Sequence, residues 1–104
     1  MGRAGRRAIT EDLPKLREEL RADFVVVNGE NASNGMGLNA EHANALFAAG
    51  ADCVTLGDHA FDQKEMMQHI EKDARILRPL NYAKTAPGRG HKLFTARGGQ
   101  KVLV

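Results

Sequence analysis

Tryptophan is absent, tyrosine occurs once and phenylalanine four times in 104 residues. The chain therefore has little of the aromatic surface on which single-stranded nucleic acids stack. Cysteine also occurs once, which excludes an internal disulfide; Cys53, inside the apolar run CVTL, is expected to pack as a small hydrophobe. No apolar run approaches the roughly 18 residues that cross a bilayer. The opening MGRAGRR is basic but leads into no apolar segment, and Arg6 stands where a myristoylation signal needs Ser or Thr. A cytoplasmic location without a membrane partner is expected. There is no GxGxxG after a strand, no GxxxxGK[ST] and no GxSxG, so dinucleotide, P-loop and serine-hydrolase readings lack their motifs. Internal repeats and low-complexity tracts are absent as well.

What is present is the composition of a globular protein, 42% hydrophobic and 27% charged, in a length that allows one domain at most. The net charge of +2 is spread thinly along the chain, too weak a bias to imply a nucleic-acid partner. Arg3, Arg6 and Arg7 form a local exception, read as a solvated helix face.

Ile9, Leu13, Leu16 and Leu20 recur at helical spacing, predicting an amphipathic helix from about Arg3 to Arg21 with a kink or restart at Pro14. Phe24–Asn28 is short, apolar and rich in valine, and reads as a buried strand bounded by Gly29. Asn39 is placed to cap a helix over Ala40–Ala49 that Gly50 ends, with Ala43, Leu46 and Phe47 on its apolar face. CVTL is a second strand. Asp62 and Glu65 have the spacing of a capping box for a helix through Lys72, with Met66, Met67 and Ile70 facing inward. After the TAPGRGHK turn, KLFTAR and KVLV read as a Gly-Gly hairpin. The chain opens on a helix with no strand before it and stops inside an apolar run, which suggests a single partial domain over residues 1–104.

Strand, helix and strand over Phe24–Leu56 make a βαβ unit, whose strands lie parallel with their carboxyl ends on one edge. Neighbouring strands are about 5 Å apart. Asn28-Gly29-Glu30-Asn31 and Gly57-Asp58-His59 are thus expected to converge where open α/β sheets bind ligands. Two carboxylates, amides and an imidazole suit a divalent cation, and paired cations activate water against phosphate esters. His59 has a second candidate role as general acid. Capping and loop roles for Asn28, Asn31 and Asp58 are the structural alternative. His42, His69 and His91 read as solvated, and Arg89 in PGRG as a turn residue able to reach a phosphate.

GRAGRRAITEDLPKLREEL, DFVVVNGENASNGMGL, GADCVTLGDHAFDQKEM and RILRPLNYAKTAPGRG together resemble the YmdB-like family of metallophosphoesterases. The resemblance covers nearly the whole chain. It implies part of a calcineurin-like metallophosphoesterase α/β sandwich, with βαβ units, parallel strands and a C-terminal hairpin. It also implies hydrolysis of cyclic nucleotides, the 2',3'-cyclic class among them, at two divalent metal ions, Fe or Mn first and Zn or Mg as alternatives. By the same resemblance Glu30 bridges both metals, Asn31 binds one, Asp58 binds the other and His59 donates a proton to the leaving oxygen. Two features depart from the family. Many members carry Asn where Asp58 stands. A first strand ending in Gly-Asp and three downstream metal-binding histidines are also missing, so the 104 residues alone are expected to be inactive or nearly so.

The expected partner is a small cyclic nucleotide or another phosphodiester, and a homo-oligomer is compatible with the chain. The competing reading is a non-catalytic nucleotide- or phosphate-binding α/β module acting through Arg89 and backbone donors. A structural fragment without a ligand is the third.

Overall fold

The computed structural model describes residues 1–104. Helix α1 spans Arg3–Glu19 as one helix, without the restart that was one of the two outcomes expected at Pro14. Pro14 lies on the exposed side, where water can reach the carbonyl that its ring leaves without a donor, so the helix runs through it. Ile9 and Leu13 pack on the core, but Leu16 and Leu20 are 46% and 73% exposed. The apolar stripe is therefore only half used.

Strands β1 (Val26–Asn28), β2 (Cys53–Thr55) and β3 (Ile76–Leu77) form a parallel sheet in the order β1-β2-β3. Being central, β2 buries both Cys53 and Val54, and burial pushes the Cys53 thiol up to about 11. The edge position of β1 corrects its reading as a buried strand: Val27 is buried, while Val26 and Asn28 face out. Between α1 and β1 runs an apolar cleft of about 540 Å³ lined by Ile9, Leu13, Leu16 and Val25–Val27. β3 was not legible beforehand, because its apolar core is two residues long and Pro79 follows after a single residue.

Helix α2 (Ala40–Ala49) has the expected bounds and caps. The Asn39 side chain accepts the His42 N–H, and Gly50 closes the helix at φ 116°, a left-handed conformation that favours glycine. Its inward side is Ala43, Leu46 and Ala49, with Phe47 half-buried under the Arg75 guanidinium, 3.8 Å from the ring centre.

Helix α3 begins only at Met66 and ends at Lys72, without a side-chain cap. The expected capping box does not form because both acids are engaged elsewhere. Asp62 meets His59, and Glu65 accepts the Ala40 N–H. Met66 and Ile70 are buried, whereas Met67 is 47% exposed and not part of the core.

The C-terminal hairpin pairs β4 (Leu93–Thr95) antiparallel with β5 (Lys101–Leu103), as KLFTAR and KVLV predict. Phe94 seats it against Phe24, with ring centres 5.2 Å apart, and against Cys53 and Leu77. The architecture is thus α/β, with parallel βαβ units and a C-terminal hairpin.

At the amino ends of the strands, Arg17 donates to Asp52 at 2.7 Å and to the Gly50 carbonyl, and Asp52 also accepts the Val25 N–H at 2.8 Å. One carboxylate therefore ties α1, the end of α2 and the start of both strands together. No helix is long and apolar enough to cross a membrane.

Candidate active site

The parallel register Val26↔Cys53, Val27↔Val54, Asn28↔Thr55 continues one step further, with Gly29 N donating to Thr55 O at 2.9 Å. The same offset sets Glu30 against Gly57. Glu30 reaches across the gap, and the Asp58 N–H donates to its Oε1 at 3.1 Å. The carboxylate lies so close to Gly57 that a Cβ there would collide with it. Glycine at this position is what lets the acid occupy the second strand's end.

Asn28 accepts the Glu30 N–H at 2.9 Å, a local turn that fixes where Glu30 leaves the strand. Asn31 follows, half-buried, and Ala32 and Ser33 turn into the core. The loop then passes through left-handed residues to Gly37 at φ 72°, where a Cβ would come within 2.6 Å of the His59 carbonyl. Gln63 Nε2 donates to Met36 O at 2.7 Å. The two loops beyond the strands therefore lie against each other.

Asp58 is exposed and His59 half-buried beside Glu30. A hydrogen bond shared with the Glu30 carboxyl, and then the charge of His59, hold Asp58 below the usual carboxylate range. The His59 Nδ1 lies 2.6 Å from Asp62 Oδ2, and this hydrogen bond is the main cause that raises the imidazole above its ordinary value. With Nδ1 so held, Nε2 is the nitrogen left for other work.

Tyr82 enters from the segment after β3. Its hydroxyl lies 3.1 Å from Gly57 O and 3.3 Å from Asp58 O, and its ring tilts against Phe61 at 6.0 Å. A single hydroxyl proton is shared between the two carbonyls that flank the Asp58 nitrogen.

The structure thus brings Glu30, Asp58 and His59 to one sheet edge, with Asn31 next in the chain. Asp62 and Tyr82 are additions that pattern reading missed. The i,i+3 spacing of His59 and Asp62 is a usable signal for the first, but the same Asp62 also fits a capping box with Glu65. Nothing local marks Tyr82, which acts from 24 positions away.

Of the remaining candidates, His91 and Arg89 are exposed, and the Arg89 backbone extends the sheet by accepting the Arg78 N–H at 3.0 Å. His42 is not simply solvated: its Nδ1 lies 2.7 Å from the Ser33 hydroxyl. His69 is half-buried, with its Nε2 enclosed and unpartnered.

No group of three or more His, Cys, Asp or Glu side chains is gathered tightly enough to hold a metal ion. The donor chemistry nevertheless fits part of one: two carboxylates share an exposed strand edge, and Asn31 is an amide beside them.

Known proteins resemble the chain in sequence and in fold. A 2',3'-cyclic-nucleotide 2'-phosphodiesterase of Bacillus subtilis (strain 168) is 34% identical over 104 residues, all of this chain and 39% of that protein. The crystal structure of a hypothetical protein from Thermus thermophilus superposes with a TM-score of 0.89 at 40% identity, over 99% of this chain and 39% of that one. A phosphatase from Mycoplasma pneumoniae gives a TM-score of 0.82 at 35% identity, over 90% of this chain and 35% of that one. The chain therefore spans about two fifths of the length of these relatives. The family described as YmdB-like protein matches residues 1–104, and the chain belongs to it.

Proposed function

We propose that these residues form the N-terminal part of a metal-dependent phosphodiesterase that hydrolyses cyclic nucleotides of the 2',3' class. The observation that carries the reading is the meeting of Glu30 and Asp58, from two parallel strand ends, around the hydrogen bond from Asp58 N to Glu30 Oε1. Glu30, Asn31 and Asp58 would hold the cations; Fe or Mn suits this oxygen-rich set, and Zn or Mg are the alternatives. Two such cations, when bound, supply Lewis-acid charge at the phosphoryl group and an activated water. The chain's own residues do the rest. Asn31 contributes a neutral oxygen, which adds no charge to repel a phosphodiester. His59, held through Nδ1 by Asp62, presents Nε2 to protonate the leaving oxygen. The ligand set is incomplete in these 104 residues, and their length of about two fifths of the relatives fits a piece of a longer catalytic domain. The buried free thiol of Cys53 suits a reducing cytoplasm.

The test is His59→Ala in the full-length polypeptide, with 2',3'-cyclic AMP as substrate. Turnover should fall by about 100-fold or more, while metal content stays the same. Unchanged turnover would remove His59 from the mechanism; no hydrolysis by the unaltered polypeptide at any metal loading would remove the reading itself.

A further inference from the structure

We propose that the cleft between the first turns of α1 and α2 is a second, metal-independent site, built to hold a phosphate group. The cleft encloses about 230 Å³ and is lined by Arg3, Arg6, Arg7, Thr10 and His42, with no acidic side chain among its walls. It shares no residue with the Glu30 and Asp58 cluster. Of the three guanidiniums only Arg7 has a carboxylate partner, Glu11 at 2.7 Å. That pair is exposed on both sides, and exposed pairs hold weakly. Arg6 donates to the Ala32 carbonyl, a neutral acceptor that leaves its charge uncompensated. Arg3 is in no ion pair.

His42 adds an imidazole to the cleft wall. The buried Ser33 hydroxyl accepts the Asn39 N–H at 2.9 Å and lies 2.7 Å from His42 Nδ1, a contact that occupies this ring nitrogen. That leaves Nε2 as the ring nitrogen free to meet a ligand. Burial first, and the Arg6 charge second, keep this imidazole below its ordinary value and hence neutral. Guanidinium forks match the oxygens of a phosphate in a way that a point charge does not. Surplus arginine charge, an imidazole on the wall and a lining without carboxylates together describe an anion site. The reading of these arginines as a plain solvated face does not account for their convergence with His42.

The test is calorimetric titration of the full-length polypeptide, freed of metal and at low ionic strength, with inorganic phosphate and with adenosine 5'-monophosphate. Saturable binding is expected without metal. Arg3→Gln, an exposed position at which folding is not at risk, should weaken it about fivefold. Glu30→Gln should leave it unchanged. Tighter binding of the nucleotide assigns the phosphate to a larger molecule, and tighter binding of inorganic phosphate assigns it to the free ion. The proposal is overturned if neither probe binds, if Arg3→Gln binds as tightly as the parent, or if Glu30→Gln abolishes binding.

Discussion

His59 Nδ1 and Asp62 Oδ2 are 2.6 Å apart, one turn from each other in a loop rather than in a helix. The carboxylate fixes which ring nitrogen is committed and which is free, the relationship by which an acid orients a histidine in many hydrolytic sites. Asp62→Asn keeps the shape but removes the charge. In the full-length polypeptide it should lower turnover of 2',3'-cyclic AMP about 10- to 100-fold, with the metal content and the thermal midpoint little changed. Full activity in this variant would leave Asp62 with only a loop-shaping role.

Gly57 is the second point of leverage. An added methyl would collide with the Glu30 carboxylate, which must then leave the position from which it accepts the Asp58 N–H. Gly57→Ala should therefore reduce bound metal, measured by elemental analysis of the full-length polypeptide, and activity should fall with it. Retention of a full metal complement would show that Glu30 is not a ligand.

Tyr82→Phe tests whether the segment after β3 supports the site from beneath. Removing the hydroxyl frees the Gly57 and Asp58 carbonyls, which it holds at 3.1 and 3.3 Å, while the contact with Phe61 remains. Metal affinity should weaken about tenfold, read by titration with Mn²⁺. A loss of thermal stability without any change in affinity would mark the tyrosine as a packing residue alone.

Asp73 gives a prediction in pH. Arg75 approaches it through Nε at 2.9 Å and Nη2 at 2.7 Å, and this hydrogen bonding is the main cause that lowers the Asp73 carboxyl below its ordinary value. A carboxylate with a depressed folded pKa contributes stability above its unfolded value, and that contribution disappears as the pH falls through the folded one. Denaturant unfolding should show Asp73→Asn less stable by about 1 kcal/mol near neutrality, with the gap to the parent closing below about pH 4. A gap that persists at lower pH would mean that the loss is not electrostatic.

The features readable beforehand were those whose cause is local. Asn39 and Gly50 bound α2 because a cap and a left-handed residue act on their own turn. The polar runs after Phe24–Val27 and after CVTL were recognisable as strand ends because a parallel βαβ unit leaves few other places for them. Features decided by distant partners were not readable. Asp62 and Glu65 have capping-box spacing, but His59 and the Ala40 N–H compete for them and prevail. Leu16 and Leu20 carry helical periodicity toward a side of the sheet where β1 has no neighbour, so pattern alone overstated their burial. Pro14 was expected to kink or break α1, and the break does not occur: the proline is exposed, so water can reach the carbonyl that it leaves without a donor.

The tie among Arg17, Asp52, the Gly50 carbonyl and the Val25 N–H sits at the opposite end of the strands from Glu30 and Asp58. Cohesion and the proposed chemistry thereby fall on different rims of the same sheet. Substitutions of the exposed side chains on the upper rim, such as Asp58, can therefore accumulate without loosening the fastening below, whereas Ala32, Leu38 and Ala60 of the same loops belong to the core.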